Sequence, residues 1–257
     1  MSGSLFREAA AAFKAVLARE MGCSVEAYGS HALTVVERPP GSREPHLALA
    51  TTCGTGSVLS VRDPRLAAWA LQQDLPRHYR IFLPSFLEGL AARAGELGHA
   101  NPKSHSATTG MILAELHGPP ALPATYSLRQ LSEREQAELR AGEVFDNALL
   151  EPGERKVERF RTAFAAFGRD GEVAAVAGVW DQYPGIDEIG LDVARERRGL
   201  GLGRAMAIHA ARWIREQGRW PIYTYGFTNI RSANTGLAAG FRPLWQIAAV
   251  YRPEDVE

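Results

Sequence analysis

The sequence predicts a mixed α/β protein of the α+β type, built in two parts. Three observations carry this. The stretch His117-Gly-Pro-Pro-Ala-Leu-Pro123 packs three prolines into five residues, which favours an extended connector between folded halves. Short strand-like runs and amphipathic helical runs interleave on both sides of that break. In the second half a strand pattern, the loop Gly199-Leu-Gly-Leu-Gly203 and an amphipathic helix follow one another directly. The expected division is an N-terminal α/β domain at 1–117, a proline-rich linker at 118–124 and a C-terminal domain at 125–257.

The elements follow from periodicity and punctuation. Phe6, Ala10, Phe13, Leu17 and Met21 recur at helical spacing, with Ser4 as a cap. Strands are expected at His31–Glu37, His46–Thr52 and Ser57–Arg62. Asp63-Pro64 then opens a helix through Leu66–Leu71, and Ser85–Leu97 reads as another, with Phe86, Leu87, Leu90, Ala94 and Leu97 on one face. Gly98–Thr109 is polar and turn-rich and reads as a mobile loop. Met111–Leu116 reads as a further strand.

Beyond the prolines, Thr125–Gln130 is a short strand and Ser132-Glu-Arg-Glu135 a capping box that opens a helix. Arg161–Phe167 and Glu172–Trp180 are strands joined by Gly168-Arg-Asp-Gly171, a hairpin signal. Ile186–Val193 is a third strand. The glycine loop, a helix through about Gln217, a strand at Ile222–Tyr225, a helix over Ser232–Ala239 and a strand at Leu244–Tyr251 complete the pattern.

Composition narrows the function. Lysine plus arginine and aspartate plus glutamate number 29 each, so the chain lacks the basic excess of a general nucleic-acid binder. Cys23 and Cys53 form neither a disulfide framework nor a metal pattern, and the histidines show no pair at metal-ligand spacing. They read as two buried or half-buried thiols. With no signal-like start and no run of 18 apolar residues, no membrane partner is expected and the cytoplasm is the expected location.

The glycine loop is where chemistry is concentrated. Gly199, Gly201 and Gly203 let the backbone close around a ligand, and the helix that follows presents unpaired N–H groups and the positive end of its dipole. Arg195, Arg197, Arg198 and Arg204 add positive charge. Such a site suits a pyrophosphate. A Walker loop is excluded because Arg204-Ala205 stands where lysine and serine or threonine are required. A dinucleotide fingerprint is excluded by Arg204, where a small residue is needed, and by the missing acidic residue about 20 positions on.

At this point the chain resembles the GCN5-related N-acetyltransferase superfamily. Arg198-x-x-Gly201-x-Gly203 is similar to that family's cofactor signature, and Glu188-Ile-Gly-Leu-Asp-Val193 to the strand before it. Asn229-x-x-Ser232 with Gly240-Phe241 is similar to its second signature, and the likeness covers about Thr125–Tyr251. The resemblance implies a GNAT fold with a splayed mixed β-sheet. It also implies that the smaller front domain is similar to the diverged GNAT-like half of two-part acetyltransferases.

The implied co-substrate is acetyl-CoA, held between Ile186–Val193 and Ile222–Tyr225. Its site would comprise the Val193 backbone, Arg198, Gly199, Leu200, Gly201, Leu202, Gly203, Arg204, Asn229 and Ser232. An amine would attack directly in a ternary complex. Glu188 is the expected base, by analogy with relatives that carry a glutamate there; a carboxylate paired to a nearby arginine is the competing reading. Alternation places Glu188, Gly190 and Asp192 on one sheet face, where the glycine would leave room for substrate, and Asp192 is the second candidate base.

Many relatives carry a tyrosine seven residues after the asparagine, where it protonates the departing thiolate. Here that residue is Gly236. Ser232, Tyr225 or water would then serve, or the thiolate leaves unaided. Trp180, Tyr183, Trp220, Tyr223, Tyr225 and Phe227 are expected either to line a pocket for an apolar amine or to be core. His209 is expected at the surface or in the core. The N-terminal domain would wall the acceptor site or serve assembly, as in a homodimer. A small-molecule amine is the expected acceptor. The alternatives are a protein or peptide N-acetyltransferase and a non-catalytic acyl-CoA sensor.

Overall fold

The computed structural model describes residues 2–75, 77–142, 144–150 and 157–256. In chain order the helices are α1 Ser2–Met21, α2 Pro64–Leu71, α3 Pro84–Glu96, α4 Glu133–Arg140, α5 Asp146–Leu149, α6 Leu202–Glu216, α7 Ile230–Ala238 and α8 Pro253–Val256. The strands are β1 Leu33–Glu37, β2 Ala48–Thr52, β3 Ser57–Val61, β4 Lys103–Leu113, β5 Ser127–Gln130, β6 Phe160–Phe167, β7 Val173–Tyr183, β8 Ile186–Val193, β9 Trp220–Gly226 and β10 Phe241–Tyr251. Among the described residues no helix is long and apolar enough to cross a membrane.

The chain forms two compact units, each assembled from several stretches. One holds Met1–Ala9, Met111–Thr224 and Asn229–Arg242; the other holds Ala10–Gly110, Tyr225–Thr228 and Pro243–Glu257. Residues 118–124 lie within the first of these. Both carry mixed sheets, in keeping with the α+β class the sequence predicts.

In the unit built around Ala10–Gly110, β1 pairs parallel with β3, β3 antiparallel with β2, and β2 antiparallel with Gln246–Val250 of β10. The apolar faces of α2 and α3 close over this sheet. Leu66, Ala70, Phe86, Leu87, Leu90 and Ala94 join Leu59, Val61 and Val250 in one buried cluster. Asp63 starts α2 as the sequence suggests: its carboxylate accepts the Arg65 N–H, and Pro64 occupies the first helical position. Burial pushes the Cys53 thiol up to about 12, so it behaves as a small apolar side chain rather than a reactive one.

One expectation fails in this unit. The stretch read as a mobile loop, Gly98–Thr109, enters β4 at Lys103. Its polar, glycine-flanked sequence carries no apolar alternation, because Lys103, Ser104 and His105 are exposed and Ala107, Thr108 and Thr109 only half-buried. A Cβ on Gly110 would lie 1.9 Å from the Trp245 ring, which itself stacks at 4.0 Å on Phe13. A side chain is missing from β4 so that an indole can lie against it.

In the glycine-loop unit the strand order is β9-β8-β7-β6-β5, antiparallel except for the parallel pair β8–β9. The β6–β7 hairpin closes where expected: Gly168 donates to the Glu172 carbonyl at 2.9 Å, and Gly171 takes φ +80°. The predicted capping box is present at α4, with Ser132 and Glu135 bonding each other's backbone. Helix α6 buries Ala205, Met206, Ala207, Ile208, Ala210, Ala211 and Ile214, and packs on β7 and β8. Small alanines bring it close to the sheet and so fix where its N-terminus points.

Candidate active site

The glycine loop runs from the end of β8 into α6. Gly199 and Gly201 take φ +83° and +80°, a region that L side chains rarely adopt. Gly201 is the N-cap, and no side chain caps the first turn. No side chain therefore takes up the first N–H groups of α6, and the positive end of its dipole lies beside them. Arg198, Leu200 and Arg204 are exposed around them, whereas Leu202 is buried and anchors the helix. Arg198 Nε donates to the Val193 carbonyl at 3.1 Å, tying the loop back to its strand. Arg197 turns away to pair with Asp170 at 3.1 Å.

Gly203 serves a different purpose. A Cβ there would touch Thr235, Val193 and Leu191 at 3.4–3.6 Å. Its bare backbone lets α6, α7 and β8 meet at the loop.

The parallel ladder between β8 and β9 runs from Ile186–Trp220 to Ile189–Tyr223; among the described residues it ends there, while β8 continues to Val193. Glu188 lies within that ladder and is buried, at 6% exposure. Thr224, one residue past the last paired position, donates its hydroxyl to Glu188 Oε1. The alternating face predicted for Glu188, Gly190 and Asp192 is present, but the room expected over Gly190 is not. A Cβ on Gly190 would fall 1.9 Å from the Asn147 carbonyl oxygen and 2.7 Å from Trp180. Its cross-strand partner Gly178 is likewise covered: a Cβ there would fall 1.6 Å from the Ala148 carbonyl oxygen. The two glycines form a trough in which α5 lies.

Asp192 holds that helix. Its Oδ1 accepts the Asn147 amide and its Oδ2 the Ala148 N–H, both at 2.9 Å. Both oxygens thus satisfy donors at the start of α5. Burial raises the Asp192 pKa despite these bonds. On the opposite face Asp187, fully buried, accepts Arg219, which also reaches Asp181 and fixes the start of β8 to the chain leaving α6.

The second motif caps rather than reaches outward. Asn229 Oδ1 accepts the Ser232 N–H at 3.1 Å as the N-cap of α7. The Ser232 hydroxyl lies 2.7 Å from the Tyr223 hydroxyl. Tyr223 is buried at 4% exposure, and that burial raises its phenol pKa. Gly236 packs against the same ring: a Cβ there would lie 2.8 Å from Met111 Sδ and 3.0 Å from Tyr223 Cδ1. Gly240 takes φ +95° beside the Glu115 carbonyl, and Phe241 is fully buried with its ring 5.9 Å from Tyr223.

Of the aromatics, Trp180, Tyr183 and Tyr223 are core, Phe227 is exposed and Trp220 carries Arg215 at 3.7 Å. His209 packs edge-on to Phe164 at 4.6 Å and its pKa is lowered by burial. Among the described residues no cluster of histidine, cysteine or carboxylate suits a metal. Thr224, Asn147 and the Tyr223 hydroxyl were not singled out by sequence. Alternation of Tyr223 and Thr224 in β9 held the signal, but the parallel register that brings Thr224 to Glu188 has no local trace.

Residues 124–235 match the model of the acetyltransferase (GNAT) family. Among solved structures, a Drosophila protein from a structural genomics programme aligns over 84% of this chain and 78% of its own, at 17% identity and a TM-score of 0.50. A GCN5-related N-acetyltransferase from Kribbella flavida aligns over 66% of this chain and 67% of its own, at 18% identity and a TM-score of 0.46. A tandem GNAT protein of the clavulanic acid biosynthesis pathway aligns over 64% and 59%, at 20% identity and a TM-score of 0.42. No curated protein sequence matches the chain.

Proposed function

We propose, from the premise that residues 124–235 belong to the acetyltransferase (GNAT) family, that this protein is an N-acetyltransferase. It moves an acetyl group from acetyl-CoA to a primary amine of a small molecule, by direct attack in a ternary complex. The observation that carries the reading is the uncapped start of α6. It follows two positive-φ glycines and lies at the end of the strand whose ladder with β9 stops at Ile189–Tyr223. Its N–H groups and the exposed Arg198 and Arg204 suit a pyrophosphate. Acetyl-CoA would supply the activated thioester.

This chain's residues supply the rest. Glu188 receives the amine proton, and Thr224 holds its carboxylate in one orientation. The Val193 backbone, whose carbonyl accepts from Arg198, is the donor to the thioester in this reading, through its N–H. Asp192, with both oxygens committed to α5, acts as a positioning residue for the acceptor side rather than as the base. Asn229 and Ser232 support the cofactor through the start of α7. The division into a catalytic part at 125–257 and a front part at 1–117, with 118–124 between, is kept as a division of roles.

A panel of small amines, assayed by free thiol released from acetyl-CoA, tests the proposal. Release with at least one amine, lost in Glu188→Gln while acetyl-CoA still binds, is expected. One observation favours a second reading, an acyl-CoA sensor without turnover: the covering of Gly190 by Asn147 and Trp180 beside the engaged Glu188. Tight acetyl-CoA binding with no thiol release from any amine or peptide would favour it.

A further inference from the structure

We propose that the carboxyl ends of β3 and β10 carry a second ligand site. It is a cleft lined by Arg62, Arg65 and Arg252 that binds a small organic molecule through a carboxylate or phosphate head. All its residues belong to the unit built around Ala10–Gly110, and none of them enters the acetyltransferase reading.

Strand register brings these residues together. Ala48 at the start of β2 pairs with Val61 at the end of β3 and with Val250 near the end of β10. The three strand ends therefore lie in one row, and Leu47, Arg62 and, past Tyr251, Arg252 step off it. Asp63 and Pro64 open α2 from the same row. The chain leaving α3 turns through Gly98 at φ +95° and delivers His99. The resulting cleft has a volume of about 450 Å³, within the range of about 300–1,000 Å³ common to small-molecule sites.

Its charge selects an anion. Three arginines line the cleft against one aspartate, Asp63, and that carboxylate is already in use. Its Oδ1 accepts the Arg65 backbone N–H at 2.9 Å and Nε at 3.0 Å. Its Oδ2 accepts Arg65 Nη2 at 2.6 Å and lies 3.0 Å from His99 Nε2. A carboxylate offers about four lone-pair sites, so Asp63 has none left for a cation. It holds Arg65 instead. Arg62 is fixed in a similar way, donating Nη2 to the Glu44 carbonyl at 2.6 Å, and Arg252 Nε lies 3.6 Å from Glu254.

A guanidinium carries five N–H donors, so the exposed Arg62 and Arg65 keep donors beyond those that fix them. Planar donors held in advance suit a carboxylate or a phosphate, and their ordering adds little to the cost of binding. Leu47 and Pro64 add apolar surface to the lining, which a bare inorganic ion would not use. Volume and apolar surface together call for an organic body behind the charged head.

The full chain is titrated calorimetrically, at constant ionic strength, with benzoate, phenyl phosphate, inorganic phosphate and benzyl alcohol. The first two share a body and differ in the head; inorganic phosphate lacks the body and benzyl alcohol the charge. Saturable binding of benzoate or phenyl phosphate is expected, the tighter of the two identifying the head. Inorganic phosphate and benzyl alcohol should bind at least about tenfold more weakly. Arg62→Gln and Arg252→Gln should each weaken binding at least about tenfold, as for loss of a charge-assisted hydrogen bond. Arg252→Lys, which keeps the charge but not the planar fork, should fall between. Thermal unfolding without probe checks that each variant folds, and Arg252→Gln carries the test if Arg62→Gln does not. Because the glycine loop also suits phosphate, Arg198→Glu is titrated as well and should bind the probe as the wild type does. Binding lost in Arg198→Glu but kept in Arg252→Gln assigns the probe to the glycine loop and overturns the inference. Inorganic phosphate as tight as phenyl phosphate, equal affinity in the wild type and the folded arginine variants, or no saturable binding of either organic anion also overturns it. Each of these results leaves the acetyltransferase reading intact, since that reading is tested by acetyl-CoA binding and thiol release.

Discussion

Gly178 and Gly190 face each other across the β7–β8 ladder, and the backbone of α5 occupies the space that side chains on both would need. The pair fixes how α5 covers the sheet beside Glu188, and Asp192 locks it there with two bonds at 2.9 Å. Gly190→Ala would force a methyl to within 1.9 Å of a backbone carbonyl, which flexible side chains cannot relieve. The expected cost is at least ~2 kcal/mol, in the range of overpacked cores, measured by urea unfolding. Unchanged stability would mean that α5 is not seated in this trough.

Glu188→Gln is isosteric and keeps an acceptor for the Thr224 hydroxyl, but it does not take up a proton. Turnover should fall by about 10²–10⁴-fold, as for loss of a general base, with acetyl-CoA affinity unchanged. Thr224→Val should cost less, about tenfold in kcat, through loss of one hydrogen bond to a charged group. Steady-state kinetics with calorimetric binding separates the two quantities. A drop in affinity equal to the drop in kcat would assign Glu188 to cofactor binding.

Gly201→Ala imposes a Cβ on an N-cap residue at φ +80°. The strain should destabilise the fold by about 1 kcal/mol or more and weaken acetyl-CoA binding by tilting the first turn of α6. Arg198→Glu should weaken binding without loss of stability, because Arg198 is exposed and its bond to Val193 is a single one. Thermal unfolding with and without acetyl-CoA distinguishes strain from lost charge.

The capping box of α4 makes stability depend on acid. Arg129 beside Glu135, together with the Ser132 bonds, lowers the Glu135 pKa from 4.5 to about 2. A carboxylate depressed in the folded state binds fewer protons there than when unfolded. Its contribution is complete above the unfolded value and is lost as pH falls through about 2. Stability should therefore decline between pH 4.5 and 2, and Glu135→Gln should flatten that decline in acid-unfolding curves. An identical slope in the variant would show that Glu135 is not engaged in solution.

Much of this was legible in sequence because the determining interactions are local. The capping box at Ser132–Glu135, the turn at Gly168–Gly171, the bounds of β8 and the glycine loop all rest on contacts within a few residues. What could not be read depends on partners far along the chain. Lys103–Thr109 reads as loop because its strand character comes from neighbours such as Trp245, 135 residues beyond Gly110. Gly190 reads as open space because nothing near it announces that Asn147 will cover it. Gly236 reads as a missing tyrosine, whereas in the fold its position is bounded by the Tyr223 ring and Met111.

Calorimetric titration of acetyl-CoA into the wild type and Arg198→Glu tests the central claim most directly. The account predicts saturable one-to-one binding to the wild type that weakens at least about tenfold in the variant, as expected when a cation beside a bound anion is replaced by a repelling charge. Absence of binding to the wild type, or equal affinity in both proteins, would contradict it.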